Sequence, residues 1–483
     1  MPGCAGRAST ARADGTRVSF TPERLLRALE DGLAEAGDPL PTGLCVALSG
    51  GLDSTVLAAA LASLRDAGRL RWPLRALHVD HSLHPDSAHW SAACIAWATS
   101  RQLPIEVVRV DARPAPGESP EAAARAARYA ALRARLAAGE VLLTAHQADD
   151  QWETILLQSL RGGGLHAVAG MAALTRSGNG WLARPLLAWT REELQAWAVE
   201  QNLRWLEDPS NLDPRIDRNY LRLHVLPRLR ERWPAAARTA GRIAGFAAEA
   251  LALEREVAAT DLASAREGAT LGVAALFALP PARQRLLVRA WLAALGLPMP
   301  PARTLDALLR DVRAAAPDRV PRVRWPGVVV HRYRGRLYAG SDAGDTLKGG
   351  EWRVADSACW ALDDTARLEL VAATGEGLSR ERTPERLRVV LRPPGAVFRP
   401  QGGAHRRPLR KWFQERGVLP WQREAIPVLC DAREIVAIGD LACAESLAAR
   451  PGEPSWRVEW RGRPLLTEQE ALAFNWRDHP PIP

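Results

Sequence analysis

The sequence predicts a doubly wound α/β fold, a parallel sheet covered by helices, for the first half of the chain. Apolar runs typical of strands occur at 44–48, 74–79, 105–110 and 141–145. Segments with helical spacing follow them at 55–67, 88–101, 119–137 and 149–160. Strands that alternate with helices of this length form parallel sheets. Because ligands of such sheets bind beyond the carboxyl ends of the strands, function is expected in the loops that follow the strands.

The loop after the first strand has the composition of an anion site. It reads Ser49-Gly50-Gly51-Leu52-Asp53-Ser54. Glycines let the backbone approach a ligand, and backbone N–H groups and hydroxyls can point at it. The loop lacks the Gly-Lys-Ser/Thr ending of the Walker loop, and a carboxylate at Asp53 tolerates polyphosphate only if Mg²⁺ lies between them. We predict a pyrophosphate site with Asp53 as a Mg²⁺ ligand; a simple turn with a capping aspartate is the alternative.

The loop after the second strand holds four side chains that can bind metals: His78, Asp80, His81 and His84. Their spacing matches no standard zinc pattern, and the sequence offers no obvious second cluster of ligands. A loop that lines a nucleotide is therefore the preferred interpretation.

The segment after the fourth strand is rich in carboxylates. A helix that begins near Asp149 places Glu153 one turn beyond Asp149 and Asp150, on the same face. Negative charge is favourable at a helix N-terminus, so a solvated capping cluster is one explanation. The carboxylates outnumber what capping needs, and Asp53 is expected at the same edge of the sheet. We predict a joint site for Mg²⁺, bound by Asp53 and Asp149, and for an ammonium group.

Composition indicates a cytoplasmic protein of several domains. The chain of 483 residues is too long for a single core. Its six cysteines show no C-x-x-C spacing, which argues against disulfide frameworks and zinc ribbons. We find neither an export signal nor an apolar run of membrane length, so no membrane partner is expected. The net charge of +9 favours a polyanionic partner, although nearly all the cations are arginines, as in chains from GC-rich genomes.

The sequence also predicts how the chain is divided. Residues 1–18 are expected to be a disordered leader, and the α/β domain spans 19–234. A helical pattern with a basic hairpin about Pro326-Gly327 fills a middle domain at 235–345. A small α+β domain at 346–483 interleaves cations with aromatic residues, which suits RNA phosphates and exposed bases, although a solvated charged face is the alternative. The predicted RNA-binding residues are Arg399, Arg406, Arg407, Arg410, Lys411, Trp412, Trp421 and Arg423.

These motifs resemble those of a known enzyme group. The strand–SGGLDST–helix unit is similar to the PP-loop ATP pyrophosphatases, and further segments narrow the resemblance to the tRNA(Ile)-lysidine synthetase family. The segments are HVDHSLHPDS (78–87), EAAARAARYAAL (121–132), LTAHQADDQWETILLQSLRGGG (143–164), AGM (169–171), RPLL (184–187), LRWLEDPSNLDPRIDRNYLR (203–222) and LPRLRERWP (226–234). They span most of residues 41–234 in collinear order. The sequence departs from the family at Gln147, where a histidine is usual, and at Ser82 and His84.

The resemblance implies an activity and its substrates. ATP, with Mg²⁺, would adenylylate the C2 oxygen of the wobble cytidine of a tRNA(Ile) with a CAU anticodon, and the ε-nitrogen of free L-lysine would then displace AMP. Ser49 to Ser54 would hold pyrophosphate. Asp150 and Glu153 would bind the charged end of lysine, beside His146 and Asp149. Arg125 and Arg128 would hold the lysine carboxylate or the phosphates, and Arg218 would be a further clamp for the phosphates. A homodimer is a further expectation.

Three other interpretations stay open at this point. A PP-loop tRNA thiolase would use the same activation but needs reactive cysteines, and only Cys45 and Cys94 lie in the α/β domain. A PP-loop enzyme that forms an amide on a small metabolite would not need the basic C-terminal block. A non-enzymatic RNA-binding protein would not need an intact loop together with a carboxylate cluster.

Overall fold

A computed structural model describes residues 19–35, 41–82, 85–113, 120–178, 180–316, 319–341, 347–354, 358–363, 366–391, 395–432, 434–462 and 464–474. The chain divides between Leu253 and Glu254 into two compact units. The expected leader at 1–18 lies outside the described residues. The domain boundaries inferred from the sequence stay predictions.

The first unit contains the predicted doubly wound sheet. Its strands are β1 (Gly43–Ala47), β2 (Leu74–Asp80), β3 (Ile105–Arg109), β4 (Glu140–Leu143), β5 (Leu174–Ser177) and β6 (Gly180–Ala183). They are ordered β3-β2-β1-β4-β6-β5. All neighbours are parallel except the edge strand β5, which pairs antiparallel with β6. The α/β prediction is confirmed, and the four predicted strands agree with β1 to β4 within two residues at either end.

Helices follow the strands as the periodicity predicts. They are α1 (Pro22–Glu35), α2 (Leu52–Asp66), α3 (Ser87–Ser100), α4 (Pro120–Ala134), α5 (Ala148–Leu160), α6 (Gly164–Ala169), α7 (Arg191–Glu200), α8 (Asp217–Tyr220), α9 (Leu226–Arg232) and α10 (Ala236–Ala265), which contains the division at Leu253. A 3₁₀ turn occupies Pro209–Leu212, and a π-helical turn at Leu221–Val225 joins α8 to α9.

The centre of the sheet is apolar on both faces. Along β1, Leu44 and Val46 belong to the core on one face, whereas Cys45, between them, packs with Leu77 and Leu142 on the other. Side chains alternate along a strand, so a continuous apolar run is what a strand buried on both faces requires. This burial fixes β1 at the middle of the sheet.

The strand order changes direction between β1 and β4. From β1 the chain adds β2 and β3 on one side, and then returns to add β4 and β6 on the other. Loops that leave two such strands diverge and open a crevice at the carboxyl edge, where ligands of these sheets bind. The loops that follow Ala47 and Leu143 flank this crevice, and they are two of the three loops that the sequence singled out.

The second unit begins with helices and a hairpin sheet. Its helices are α11 (Val273–Ala278), α12 (Pro281–Ala294) and α13 (Ala302–Ala314), and its first sheet has the order β7-β8-β11-β10-β9. The strands are β7 (Arg266–Glu267), β8 (Thr270–Gly272), β9 (Arg322–Trp325), β10 (Val328–Tyr333) and β11 (Arg336–Gly340). The predicted turn at Pro326-Gly327 joins β9 to β10. Trp291 is completely buried in the core between these helices and strands.

The rest of the second unit is rich in strands. A five-stranded sheet has the order β12-β16-β19-β20-β21, a four-stranded sheet has the order β13-β14-β22-β15, and β17 pairs with β18; α14 and α15 are the helices of this part. The elements are β12 (Gly350–Arg353), β13 (Cys359–Ala361), β14 (Arg367–Thr374), β15 (Leu378–Ser379), β16 (Arg386–Leu391), β17 (Val397–Phe398), β18 (Arg407–Pro408), α14 (Leu409–Glu415), β19 (Pro427–Cys430), β20 (Ile435–Ile438), β21 (Ala442–Cys443), β22 (Pro454–Arg461) and α15 (Glu468–Ala473), with a 3₁₀ turn at Glu445–Leu447. One apolar core joins the two larger sheets and α14. Among the described residues, no helix has the length and apolar character needed to cross a bilayer.

Candidate functional site

The loop after β1 is shaped by its own hydroxyl groups. The Ser49 and Ser54 Oγ atoms lie 3.0 Å apart, and Ser54 Oγ donates to the Gly51 carbonyl at 3.0 Å. The loop leads directly into α2, whose N-cap Gly51 offers no side-chain cap. The first N–H groups of α2 and the positive end of its dipole therefore remain for an anion. Leu52 is buried, so it contributes only its backbone to this site.

A glycine is required at position 50, both by the backbone conformation and by the lack of space for a side chain. Its φ of +85° lies in the left-handed region. A Cβ atom there would stand 2.8 Å from Leu206 Cδ1 and 2.9 Å from Cys94 Sγ. The Leu206 N–H also donates to the Gly50 carbonyl at 2.8 Å, so the segment near residue 206 closes over the loop.

Asp53 is the unusual carboxylate of this site. Its Oδ2 accepts from Arg191 Nη1 at 2.9 Å, whereas Oδ1 is buried and has no hydrogen-bond partner among the described residues. Burial raises the pKa of Asp53 to about 7, and the neighbouring carboxylates Asp150 and Asp149 add to the rise, against the lowering effect of Arg191 and Arg222. A bare carboxylate oxygen beside an anion loop is an incomplete site that a cation would complete.

The carboxylates after β4 are positioned by the start of α5. Gln147 is the N-cap residue: its side chain accepts from the Asp149 N–H at 2.6 Å, and the Asp150 carboxylate accepts from the Gln147 N–H at 3.1 Å. Gln147, which stands where the family usually has a histidine, therefore acts as the capping group of α5. Capping uses only one oxygen of Asp150, so it does not account for the whole cluster.

Asp150 and Glu153 form a carboxylate pair that two arginines hold. Arg218 donates to Glu153 Oε2 at 2.7 Å and to Asp150 Oδ1 at 3.0 Å. Arg222 donates to Glu153 Oε1 at 2.8 Å and Oε2 at 2.9 Å, and to Asp150 Oδ1 at 3.2 Å. Glu153 is 0% exposed. In this structure, guanidinium groups therefore occupy the place at which the sequence predicted a substrate ammonium.

Asp149 faces a different pair of arginines. Its Oδ2 accepts from the backbone N–H of Arg191 at 2.8 Å, and its Oδ1 accepts from the Arg230 side chain. Arg191 thus links Asp149, through its backbone, to Asp53, through its side chain. Both Asp149 oxygens are engaged, so its predicted role as a metal ligand stays a prediction that would require Arg230 to move.

A cluster of cations lies beside the carboxylates. Burial holds the pKa of His146 well below its usual value, and the neighbouring cations Arg184, Arg125, Arg218 and Arg128 lower it further. The ring is therefore neutral, and its Nδ1 lies 3.0 Å from Thr144 Oγ1. Burial and the neighbouring Arg125 and Arg218 also lower the pKa of Arg128. Cations that depress one another's pKa values favour an anion between them.

The end of β2 and the loop that follows it are held by internal contacts. His78 Nδ1 lies 2.8 Å from the Leu48 carbonyl, and its Nε2 lies 3.2 Å from Ser91 Oγ. Buried Asp80 accepts from the Ser82 N–H at 2.8 Å. Among the described residues, no group of three or more histidine, cysteine or acidic side chains could hold a metal, and His84 lies outside those residues. The preference for a nucleotide-lining loop stays a prediction.

Four arginines of the site were missed by sequence reasoning: Arg184, Arg191, Arg222 and Arg230. Arg191 had a usable signal, because Thr190 and Glu193 form a capping box that places Arg191 in the first turn of α7. Arg184, Arg222 and Arg230 fall within the segments that carry the family resemblance. In a chain where almost every cation is arginine, residue type alone did not distinguish them.

The basic C-terminal block divides into an exposed part and a buried part. Four of its cations are exposed: Arg399, Arg406, Arg410 and Lys411. Exposed Arg406 forms an ion pair with Glu434, and half-buried Arg407 forms one with Glu415. Half-buried Arg423 donates to the Val418 carbonyl at 3.0 Å.

The predicted contact of Trp412 with RNA needs correction, whereas that of the half-buried Trp421 stays a prediction. Trp412 is only 2% exposed and packs edge-on against Phe398, so its ring does not face solvent for base stacking. Trp421 stacks on His331 at 4.2 Å between ring centroids and also contacts Tyr338. The physical reason for the burial of Trp412 is its helical spacing with Leu409 and Phe413, which places all three on the core-facing side of α14.

Replacing Trp412 by alanine should therefore destabilise the second unit. Removing a buried tryptophan leaves a cavity, and we expect a loss of about 3–5 kcal/mol in the free energy of unfolding, measured by urea denaturation. Lys411→Ala, one residue earlier and exposed, is the matched control and should change stability by less than about 0.5 kcal/mol. Equal stability of the two variants would contradict the burial of Trp412.

Comparison with known proteins gives three matching families along the chain. A PP-loop domain matches residues 25–229, a TilS substrate binding domain matches residues 271–338, and a TilS substrate C-terminal domain matches residues 387–460.

Full-length relatives match as well. A tRNA(Ile)-lysidine synthase of Alkalilimnicola ehrlichii is 43% identical, over 89% of this chain and 96% of its own. One of Methylococcus capsulatus is 38% identical, over 86% of this chain and 95% of its own. Among solved structures, the U34-tRNA thiolase NcsA of Methanococcus maripaludis superposes with a TM-score of 0.38 and 15% identity, over 46% of this chain and 78% of that one.

Proposed function

This chain belongs to the tRNA(Ile)-lysidine synthase family, and on that premise we propose which of its residues carry out the reaction. The enzyme is an ATP-dependent ligase that forms lysidine in tRNA(Ile), and its PP-loop domain supplies the adenylylation chemistry. The observation that carries the assignment of residues is the meeting of the Ser49–Ser54 loop with Asp149, Asp150 and Glu153 at the crevice between β1 and β4.

ATP is assigned to the loop after β1. Its phosphates would lie against the Ser49 and Ser54 hydroxyls and the first N–H groups of α2, where the helix dipole favours negative charge. The α-phosphate would face the crevice, because Arg125 and Arg128 provide the cations that the charge of the transition state needs.

Mg²⁺ fits at Asp53. The Oδ1 atom, which has no hydrogen-bond partner among the described residues, is available to coordinate a cation. Mg²⁺ is commonly coordinated by one or two carboxylates together with water and phosphate oxygens. Bound there, Mg²⁺ would neutralise phosphate charge and make pyrophosphate a better leaving group. Asp53 must be ionised to serve this purpose, so its raised pKa makes metal affinity fall as the pH drops below about 7.

The reaction proceeds by two displacements. The C2 oxygen of the wobble cytidine of a CAU anticodon attacks the α-phosphorus of ATP, and the bond to pyrophosphate breaks. The ε-nitrogen of lysine then bonds to C2, and AMP leaves with the former carbonyl oxygen. The amine must be neutral when it attacks, so its proton passes to a neighbouring carboxylate or to water. Neutral His146, beside the arginines, can orient groups without adding positive charge.

Lysine is assigned to the carboxylate pair. Asp150 and Glu153 would receive an ammonium group of the amino acid, and Arg125 or Arg128 would receive its carboxylate. Because the pair is bound by Arg218 and Arg222 in this structure, entry of lysine has to displace guanidinium contacts. Lysine as the amine, and the expected homodimer, are parts of this proposal.

The tRNA is the macromolecular substrate, and the cations of the C-terminal block are its proposed phosphate contacts. Replacing Arg406, Arg407, Arg410 and Lys411 together by alanine should weaken tRNA binding and flatten its salt dependence by roughly one unit of log–log slope per lost contact. Fluorescence anisotropy with labelled tRNA across a salt titration measures this. An unchanged slope would show that these cations only solvate the surface.

A thiolase activity is disfavoured by the state of the cysteines. Burial raises the pKa values of both Cys45 and Cys94 to about 12, so neither thiol of the described PP-loop domain is a ready nucleophile. An amide synthetase for small metabolites would leave the TilS substrate domains at 271–338 and 387–460 without a role.

Mass spectrometry tests the proposed function directly. The protein is incubated with ATP, Mg²⁺, isotope-labelled lysine and tRNA(Ile) that carries a CAU anticodon, and the tRNA is then digested to nucleosides. We expect a labelled cytidine derivative that requires ATP. Label elsewhere in the tRNA, or incorporation without ATP, would overturn the proposal.

A further inference from the structure

The carboxylate pair of Asp150 and Glu153 is fully occupied before any substrate arrives. Five hydrogen bonds of 3.2 Å or less join it to Arg218 and Arg222. An ammonium group has the same charge as these guanidinium groups and seeks the same oxygens. The two arginines are therefore competitors of the proposed lysine site.

Each of the four carboxylates of the site is paired with an arginine. Four carboxylates, Asp53, Asp149, Asp150 and Glu153, face four arginines, Arg191, Arg218, Arg222 and Arg230. Lysine that entered alone would place its ammonium among arginines already paired with every carboxylate, and buried charges without partners are costly. ATP brings negative charge, and this offers the arginines a new partner.

Arg222 is the arginine best placed to change partners. Its side chain is 31% exposed, against 19% for Arg218 and 1% for Glu153. Asp53, in the phosphate loop, acts electrostatically on Arg222, so Arg222 lies within electrostatic reach of the proposed phosphate site. Arg222 also lies in the π-helical turn Leu221–Val225, an irregularity common at functional sites.

We infer that the Arg222 guanidinium occupies the place of the lysine ammonium in the free enzyme. When ATP binds, Arg222 leaves the carboxylate pair, and lysine binding therefore depends on ATP. This inference rests on the proposed lysine site and adds to it an order of binding. Arg222 is a positioning residue in this scheme: it holds Asp150 and Glu153 in place in the free enzyme and turns towards phosphate in the loaded one. Occupied carboxylates also keep other amines out until the nucleotide is present.

Calorimetric titration of full-length protein with lysine tests the inference without turnover. The titration is run with and without α,β-methylene-ATP and Mg²⁺, because this analogue cannot release pyrophosphate. In the wild type, the analogue should tighten lysine binding by roughly 5–150-fold, the usual range of coupling between sites. In Arg222→Met, lysine should bind the nucleotide-free protein nearly as well as the loaded one. Arg222→Lys keeps a cation and should retain most of the coupling.

Controls separate this inference from the proposed function. Arg161→Ala removes an exposed arginine that is paired with Asp217 near the same segment, and its coupling should equal that of the wild type. Thermal unfolding of each variant reports whether it is folded. Unchanged lysine binding in Asp150→Asn would overturn the proposed lysine site itself. Loss of lysine binding in Asp150→Asn, with full ATP coupling in both Arg222→Met and Arg222→Lys, would overturn only the exchange by Arg222.

Discussion

Replacing Asp53 by asparagine is expected to abolish lysine transfer while leaving tRNA affinity nearly unchanged. The Asp53 carboxylate lies in a phosphate loop that contains no lysine residue. Its buried Oδ1 has no hydrogen-bond partner among the described residues. An amide in its place cannot bind Mg²⁺ strongly, so the phosphates would lose their counter-charge. Steady-state ligation at saturating Mg²⁺ measures the effect. Near-normal turnover by the variant would rule out Asp53 as the metal ligand.

The same substitution should stabilise the free protein at alkaline pH. With a pKa of about 7 in the folded protein, Asp53 keeps its proton between about pH 4 and 7, whereas the unfolded chain releases it. The free energy of unfolding therefore falls as the pH rises through this window, by at most about 4 kcal/mol from this group. The amide of the Asp53→Asn variant cannot ionise and escapes this loss, although it gives up the ion pair with Arg191.

Thermal unfolding at pH 5 and pH 8 checks this second effect of Asp53→Asn. The melting temperature of the variant should exceed that of the wild type at pH 8, and the difference should shrink at pH 5. Asp66→Asn, at the exposed end of the same helix, is the control for replacing a carboxylate by an amide. Added Mg²⁺ and an ATP analogue should raise the melting temperature of the wild type more than that of Asp53→Asn.

Replacing Glu153 by glutamine should impair the use of lysine more than adenylylation. The change leaves Arg218 and Arg222 with only the Asp150 carboxylate and removes the charge that would receive an ammonium. We expect a raised lysine requirement, with adenylylated tRNA still formed, measured by lysine-dependent ligation and by release of pyrophosphate. Breaking a buried ion pair also costs about 3–5 kcal/mol of stability.

Glu140→Gln separates the two effects of Glu153→Gln. Glu140 is also buried and is paired with Arg75, at 2.7 and 2.6 Å, but it stands at the opposite end of β4 from the crevice. Its replacement should cost comparable stability and leave the dependence on lysine unchanged. If Glu153→Gln lost adenylylation and kept its lysine dependence, Glu153 would belong to the metal site.

The fold could be predicted from the sequence where burial produces a recognisable pattern of apolar residues. Leu44 to Leu48 and Val141 to Leu143 are apolar without interruption because both faces of the strands are covered, and this pattern places β1 and β4 in the sheet. The position of Asp53 and Asp149 at one edge then follows from topology. The helical spacing of Trp412 with Leu409 and Phe413 likewise predicts its burial, rather than contact with RNA.

The arginines of the site could not be predicted to the same degree. Arg222 and Arg230 reach Glu153 and Asp149 from 69 and 81 residues further along the chain. Pairing across such separations depends on the way the segment after β6 folds back over the crevice, which no local periodicity encodes. Only Arg191 follows a local signal, the capping box at Thr190.

The pairing of β1 with β4 has a consequence for biosynthesis. It joins residues 43–46 to residues 140–143, so the crevice forms only when nearly a hundred intervening residues have been made and folded. Contacts between distant segments are slow to form, because the entropy of closing a long loop is lost before the contact is gained. The arginines that neutralise Asp150 and Glu153 leave the ribosome later still. A nascent chain therefore carries an exposed acidic edge until about residue 222 has emerged.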